Sequence, residues 1–141
     1  MDVSDLRLRA EQGSLPAQSI LGLCYLEGVD VPVDYAEAYR LLSIAARRGA
    51  SRAQLGLGQM FAEGLGVPQD LGEARRLYEL AAERGEFLAQ IELGRVYSRG
   101  VGVSIDHSRA TRWYAAALAQ EGEIVDCEEL SEARVYLIQR G

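Results

Sequence analysis

Residues 49–84 read GASRAQLGLGQMFAEGLGVPQDLGEARRLYELAAER, and this stretch decides the fold. Its first part places Ala53, Leu57, Met60, Phe61 and Gly64 on one side of a helical wheel. The turn GLGVPQD then interrupts the pattern. After it, Ala74, Leu77, Tyr78 and Ala81 mark the packed side of a second helix.

The same spacing recurs on both sides at a shift of 36 residues. Gly13, Gly49 and Gly85 coincide, as do Ala17-Gln18, Ala53-Gln54 and Ala89-Gln90. Leu21-Gly22, Leu57-Gly58 and Leu93-Gly94 follow, then Tyr25, Phe61 and Tyr97. Gly28, Gly64 and Gly100 match, and so do Asp34, Asp70 and Asp106. So many coincidences without an insertion define three repeats, 13–48, 49–84 and 85–120. Residues 1–12 read as an N-terminal cap helix, and 121–141 as an acidic segment with a C-terminal cap helix. The 141 residues suit one domain with a sufficient core.

Within a repeat the first helix begins near Pro16, Arg52 or Leu88; a proline suits a first turn, where its missing N–H costs nothing. Gly22, Gly58 and Gly94 fall in mid-helix, where glycine costs about 1 kcal/mol against alanine. Repeated at one position, they point to a helix passing too close for a side chain. In the turns GVDVPVD, GLGVPQD and GVGVSID, Gly66 and Gly102 supply a positive φ, and Asp30 takes that place in the first. Asp34 and Asp70 precede Glu37 and Glu73 by three residues, the spacing of a capping box; Arg109 breaks the box at Asp106. The second helices carry Ala38, Leu41, Leu42 and Ala45, then the set quoted above, then Ala110, Trp113, Tyr114 and Ala117. Gly49 and Gly85 end the first two as C′ residues. Leu130, Ala133 and Leu137 mark the final helix over 128–139.

Composition excludes several classes of function. All 15 basic residues are arginine, and neither lysine nor asparagine occurs, a bias of GC-rich bacterial genomes. The net charge is −6, with 13 Arg against 15 acids in residues 1–120 and 2 against 6 beyond. No basic stripe suits phosphate neutralisation, which argues against nucleic acid. No stretch approaches the roughly 20 apolar residues of a membrane span, and the opening MDVSDLRLRAEQG lacks the apolar run of a signal peptide. Cys24 and Cys127 form no motif and read as free thiols. The expectation is a cytoplasmic protein.

The pattern A-Q-x-x-L-G-x-x-Y-x-x-G-x-G-V-x-x-D, followed by A, W-Y and A-A, resembles the Sel-one-like repeat, a relative of the tetratricopeptide repeat. The resemblance covers residues 13–120; Leu41-Leu42 departs from the aromatic pair, Leu77-Tyr78 keeps half of it, and Trp113-Tyr114 matches fully. It implies an all-α fold: a right-handed α/α superhelix of three helix–turn–helix repeats between capping helices. It also implies a protein- or peptide-binding scaffold without catalysis or cofactor.

Chemical motifs are weak by comparison. GLGVPQ and GVGVSI lack the third glycine of a dinucleotide fingerprint. His107 is the single histidine, with no cysteine nearby to share a metal, and Ser104 and Ser108 are too local to complete a triad. Trp113 reads as a core or cap contact, and Arg47-Arg48 and Arg75-Arg76 as solvated faces. The favoured function is a non-catalytic interaction module: adaptor, chaperone or toxin-neutralising immunity protein. The alternative is an enzyme or small-ligand protein using acidic residues and His107. Glu121, Glu123, Asp126, Glu128, Glu129 and Glu132 either solvate the cap or steer a basic partner. The binding positions lie opposite the packed side of the first helices: Ile20, Leu23 and Glu27; Gly56, Gln59 and Glu63; Glu92, Arg95 and Arg99. Their chemistry varies between repeats, and in a superhelix like that of tetratricopeptide relatives they line the concave face.

Overall fold

The computed structural model describes residues 2–120 and 128–140, and the side chains of 2–120 and 130–140. Among the described residues all regular structure is helical: α1 Val3–Glu11, α2 Leu15–Glu27, α3 Tyr35–Arg47, α4 Ser51–Glu63, α5 Leu71–Glu83, α6 Phe87–Arg99, α7 His107–Leu118 and α8 Glu128–Arg140. The helices form an α/α solenoid of three helix–turn–helix repeats with a helix at either end. Two compact units emerge, Met1–Leu77 and Tyr78–Gly141, and their boundary falls inside α5. Cys127 and the acids Glu121, Glu123 and Asp126 lie outside the described residues, as do the side chains of Glu128 and Glu129.

In the first unit α2 packs on α1 and α3, and α4 packs on α3 and α2. Leu6, Leu21, Leu41, Leu42 and Met60 form its core, with Leu42 and Met60 fully enclosed. Burying a side chain of that size contributes about 1.5–3 kcal/mol. In the second unit α7 packs on α6 and α8 around Ile91, Tyr114, Leu130 and Ala133. The second helices bury every small or apolar residue assigned to their packed sides, Trp113 included.

The mid-helix glycines mark close crossings. A Cβ on Gly22 would stand 2.8 Å from Leu42, and one on Gly94 would stand 2.5 Å from the Tyr114 ring. Gly58 is buried as well. In the turns, Gly66 has φ +71°, and its added Cβ would meet Tyr35 Cβ at 2.5 Å. Asp30 holds the equivalent left-handed place at φ +62°.

The capping boxes are only half formed. Asp34, Asp70 and Asp106 accept from the amides of Glu37, Glu73 and Arg109 at 3.0–3.1 Å. The reciprocal bond is absent because each aspartate N–H already donates to the carbonyl of Tyr25, Phe61 or Tyr97. Glu37 and Glu73 turn instead to Arg40 and Arg76.

The repeated glutamines tie each first helix to the helix before it. Gln18, Gln54 and Gln90 donate to the carbonyls of Ala10, Ala46 and Ala82 at 3.3, 3.2 and 3.1 Å. Arg48 closes the first clamp by donating to Gly13 O and Gln18 Oε1, and Gln120 does the same for Gly85 O and Gln90 Oε1. Arg48 is therefore a bridging residue, not merely part of a solvated face. A second tie uses phenols. Arg7 donates to the Tyr25 hydroxyl at 3.1 Å, whereas the Tyr97 hydroxyl donates to Glu79 at 2.7 Å and accepts from Arg109 at 3.2 Å.

Candidate partner-binding surface

The nine positions assigned to the binding face divide into two groups. Ile20, Glu27, Gln59, Glu63 and Arg99 are exposed, and Gln59 donates to Glu63 across one turn at 3.3 Å. Leu23, Gly56, Glu92 and Arg95 are drawn inward. Gly56 is buried: a Cβ there would meet Leu23 Cδ2 at 2.8 Å and Leu42 Cδ1 at 3.2 Å. The chain that approaches Gly56 is its own, so this position of the assigned binding face is covered from within. The physical reason is that a first helix faces the next first helix on this side, and α4 leans on α2 there.

The second unit fills the corresponding place with charge. Arg95, one repeat pair beyond Leu23, donates from Nε and Nη2 to Glu132 Oε2 of α8 at 2.8 and 2.7 Å. Its Nη1 reaches Glu92 at 2.6 Å. Arg99 Nη2 and the Tyr114 hydroxyl both donate to Glu132 Oε1, at 2.7 and 3.3 Å. Arg95 is thus an internal tie and not an open anchor. Burial pushes the Glu132 carboxyl up, but the hydrogen bond from Arg95 and the charges of Arg95 and Arg99 outweigh it and leave the pKa below the usual carboxylate value. Arg99 keeps 62 % of its side chain exposed.

Between α6 and α8 lies an open groove of about 630 Å³. Arg95, Ser98 and Arg99 form one wall, Ser131, Glu132, Val135, Tyr136 and Gln139 the other, and Tyr114 also lines it. Beside it His107 Nδ1 sits 2.8 Å from the Tyr136 hydroxyl, and the Tyr114 and Tyr136 rings lie 4.9 Å apart. His107 has no metal-ligating company: among the described residues no three His, Cys, Asp or Glu side chains converge. Glu132, Tyr114 and Tyr136 were not separable by sequence as site residues. α8 starts five residues later than the repeat spacing from α6 requires, so repeat alignment does not pair Glu132 with Arg95.

The Sel1 repeat matches residues 15–49, 51–86 and 88–121. The chain belongs to the Sel1-repeat family. A Sel1 repeat protein from Oxalobacter formigenes is 40% identical over 92% of this chain and 93% of its own, with a TM-score of 0.75. The protein c5321, a protective antigen of uropathogenic Escherichia coli strains displaying an SLR fold, is 42% identical at a TM-score of 0.77. That match covers 82% of this chain and 25% of c5321. Cysteine-rich protein B of Helicobacter pylori shares the fold, at 19% identity, a TM-score of 0.71, and 94% and 96% coverage. No curated protein matches the chain. Sel1-repeat proteins are generally protein-interaction modules. No helix among the described residues is long and apolar enough to cross a membrane.

Proposed function

We propose that this Sel1-repeat chain is a non-catalytic module that holds a protein or peptide partner on the side carried by its first helices. In the second unit the anchor is the α6–α8 groove, and the observation that carries the reading is Arg99 on its rim. One guanidinium nitrogen is held by Glu132, so the side chain is pre-positioned, and its exposed edge can take a partner carboxylate. Tyr136 and Val135 on the opposite wall add apolar contact for a neighbouring side chain. In the first unit Ile20, Glu27, Gln59 and Glu63 face solvent on α2 and α4 and offer both apolar and acidic contacts.

The role fits an adaptor, a chaperone or a toxin-neutralising immunity protein in the bacterial cytoplasm, where the free thiol of Cys24 suits a reducing compartment. Affinity purification from the native host tests the reading. Wild-type chain retains one stoichiometric protein, and Arg99→Glu loses it while remaining folded. Retention of a small molecule in place of a protein, or a partner indifferent to both Arg99→Glu and Glu63→Arg, overturns the proposal.

A further inference from the structure

Each unit holds a small cavity at an equivalent place in the repeat. One, of about 210 Å³, lies over Tyr25 between α1 and α3. The other, of about 230 Å³, lies over Tyr97 between α5 and α7. A shift of two repeats carries Arg7, Glu11, Glu37 and Arg40 of the first onto Glu79, Glu83, Arg109 and Arg112 of the second. The first cavity mixes its charges, with one acid and one arginine on each wall, and Glu37 and Arg40 pair along α3 at 2.9 Å. The second sorts them: both carboxylates stand on α5 and both guanidiniums on α7.

Sorting is unfavourable within each helix. Like charges one turn apart repel, so neither Glu79 and Glu83 nor Arg109 and Arg112 can form the kind of pair that α3 has. The two walls do not neutralise each other by direct contact either. Tyr97 stands between them, donating to Glu79 Oε1 at 2.7 Å and accepting from Arg109 Nη1 at 3.2 Å. Arg109 also reaches Asp106, at 3.5 Å. Among the described residues Glu83 has no hydrogen bond or ion pair, and Arg112 has only the Trp113 ring, 4.8 Å from its guanidinium carbon.

We propose that the cavity over Tyr97 binds a small zwitterion of the α-amino acid class. The ammonium sits on the Glu79–Glu83 wall, and the carboxylate accepts from Arg109 and Arg112. Three observations select this ligand. A lone anion or cation is repelled by one wall, whereas a molecule carrying both charges is attracted by both. The walls meet on one hydroxyl, so the two charges must lie close together, as they do on a single α-carbon. Tyr97 and Trp113 are 3% and 7% exposed, which leaves little apolar surface inside and selects a small side chain. The cavity shares no lining residue with the α6–α8 groove, so an amino acid here leaves the Arg99 anchor free.

The probe is L-alanine, titrated into the full ¹⁵N-labelled chain and followed by amide chemical shifts. Acetate and methylammonium, which each carry half of its charge pattern, are the controls. L-alanine binds with a Kd below about 10 mM, and each control binds at least about tenfold more weakly. Glu83→Gln or Arg112→Gln weakens L-alanine at least about tenfold while the circular dichroism melt stays unchanged. Arg99→Glu leaves its binding intact. The double variant Glu83→Arg with Arg112→Glu restores a mixed arrangement on both helices; it loses L-alanine and melts no lower than wild type. No shift change at about 10 mM, or a control that binds as tightly as L-alanine, overturns the proposal. So does binding that survives Glu83→Gln and Arg112→Gln, or that Arg99→Glu abolishes. A lower melt of the double variant shows that the sorted charges stabilise the fold by themselves, and it removes the reason for a ligand.

Discussion

Arg95 grips Glu132 through two nitrogens, at 2.8 and 2.7 Å, and so ties α6 to α8 at the register where Leu23 of α2 leans on Gly56 of α4. One kind of helix-to-helix contact is apolar in the first unit and ionic in the second. Both partners are about three-quarters covered, with side-chain exposures of 27% and 28%. Arg95→Ala therefore leaves a carboxylate short of its main donor. The expected loss is about 1–2 kcal/mol, between the values for exposed and buried pairs. Thermal unfolding followed by far-UV circular dichroism measures it, and an unchanged melt refutes the tie.

That tie makes stability depend on pH with a definite sign. The folded-state pKa of Glu132 lies below its ordinary value. Its contribution is fully present above the unfolded-state pKa and is lost as pH falls through the folded-state pKa. Wild type should exceed Glu132→Gln in stability near neutrality, and the gap should close in acid. Melting both proteins from about pH 7 to about pH 3 checks this, and a gap that widens in acid contradicts it.

Gly94 offers a test in which two effects oppose each other. On an open helix face, glycine to alanine stabilises by about 1 kcal/mol. Here the new methyl would lie 2.5 Å from the Tyr114 ring, so Gly94→Ala should instead destabilise by about 1–3 kcal/mol. Adding Tyr114→Leu should return part of that loss, because a smaller neighbour makes room. A stabilised single variant would show that the α6–α7 crossing is looser than these distances.

The glutamine clamp predicts a loss from polar groups left without partners. Gln90→Ala strips the Ala82 carbonyl and the Gln120 amide of a partner each, at a buried site. The expected cost is about 1–2 kcal/mol. Hydrogen exchange should quicken at the start of α6 before it does in α7. Equal acceleration in both helices would count against a local clamp.

The repeat register makes α2 to α7 legible in sequence, because aspartate caps, turn glycines and buried alanines each recur for a local physical reason. Even Asp30 announces its left-handed backbone by standing where the other repeats have glycine. The candidate site is less legible. A helical wheel separates packed from unpacked sides, yet it cannot tell solvent from a neighbouring first helix, so Gly56 and Arg95 read as open positions. Long-range partners are hidden for the same reason. Glu132 belongs to a helix outside the repeat spacing, and Arg48 reaches back 35 residues to Gly13. Nothing local in either residue reports those contacts.

The phenol ties bear on how such a chain can grow or be rearranged. Around Tyr25 stand Arg7 and Glu37; around Tyr97 the same places hold Glu79 and Arg109, with the signs exchanged. A hydroxyl both donates and accepts, so one tyrosine serves either polarity without moving. Phenylalanine at position 61 has no such freedom, and the place of Arg7 and Glu79 is there taken by the uncharged Ser43. A duplicated or transplanted repeat carrying the tyrosine can therefore join a neighbour of either sign, whereas one carrying the phenylalanine needs a neutral neighbour. The hydroxyl acts as a coupling that accepts a neighbour of either sign.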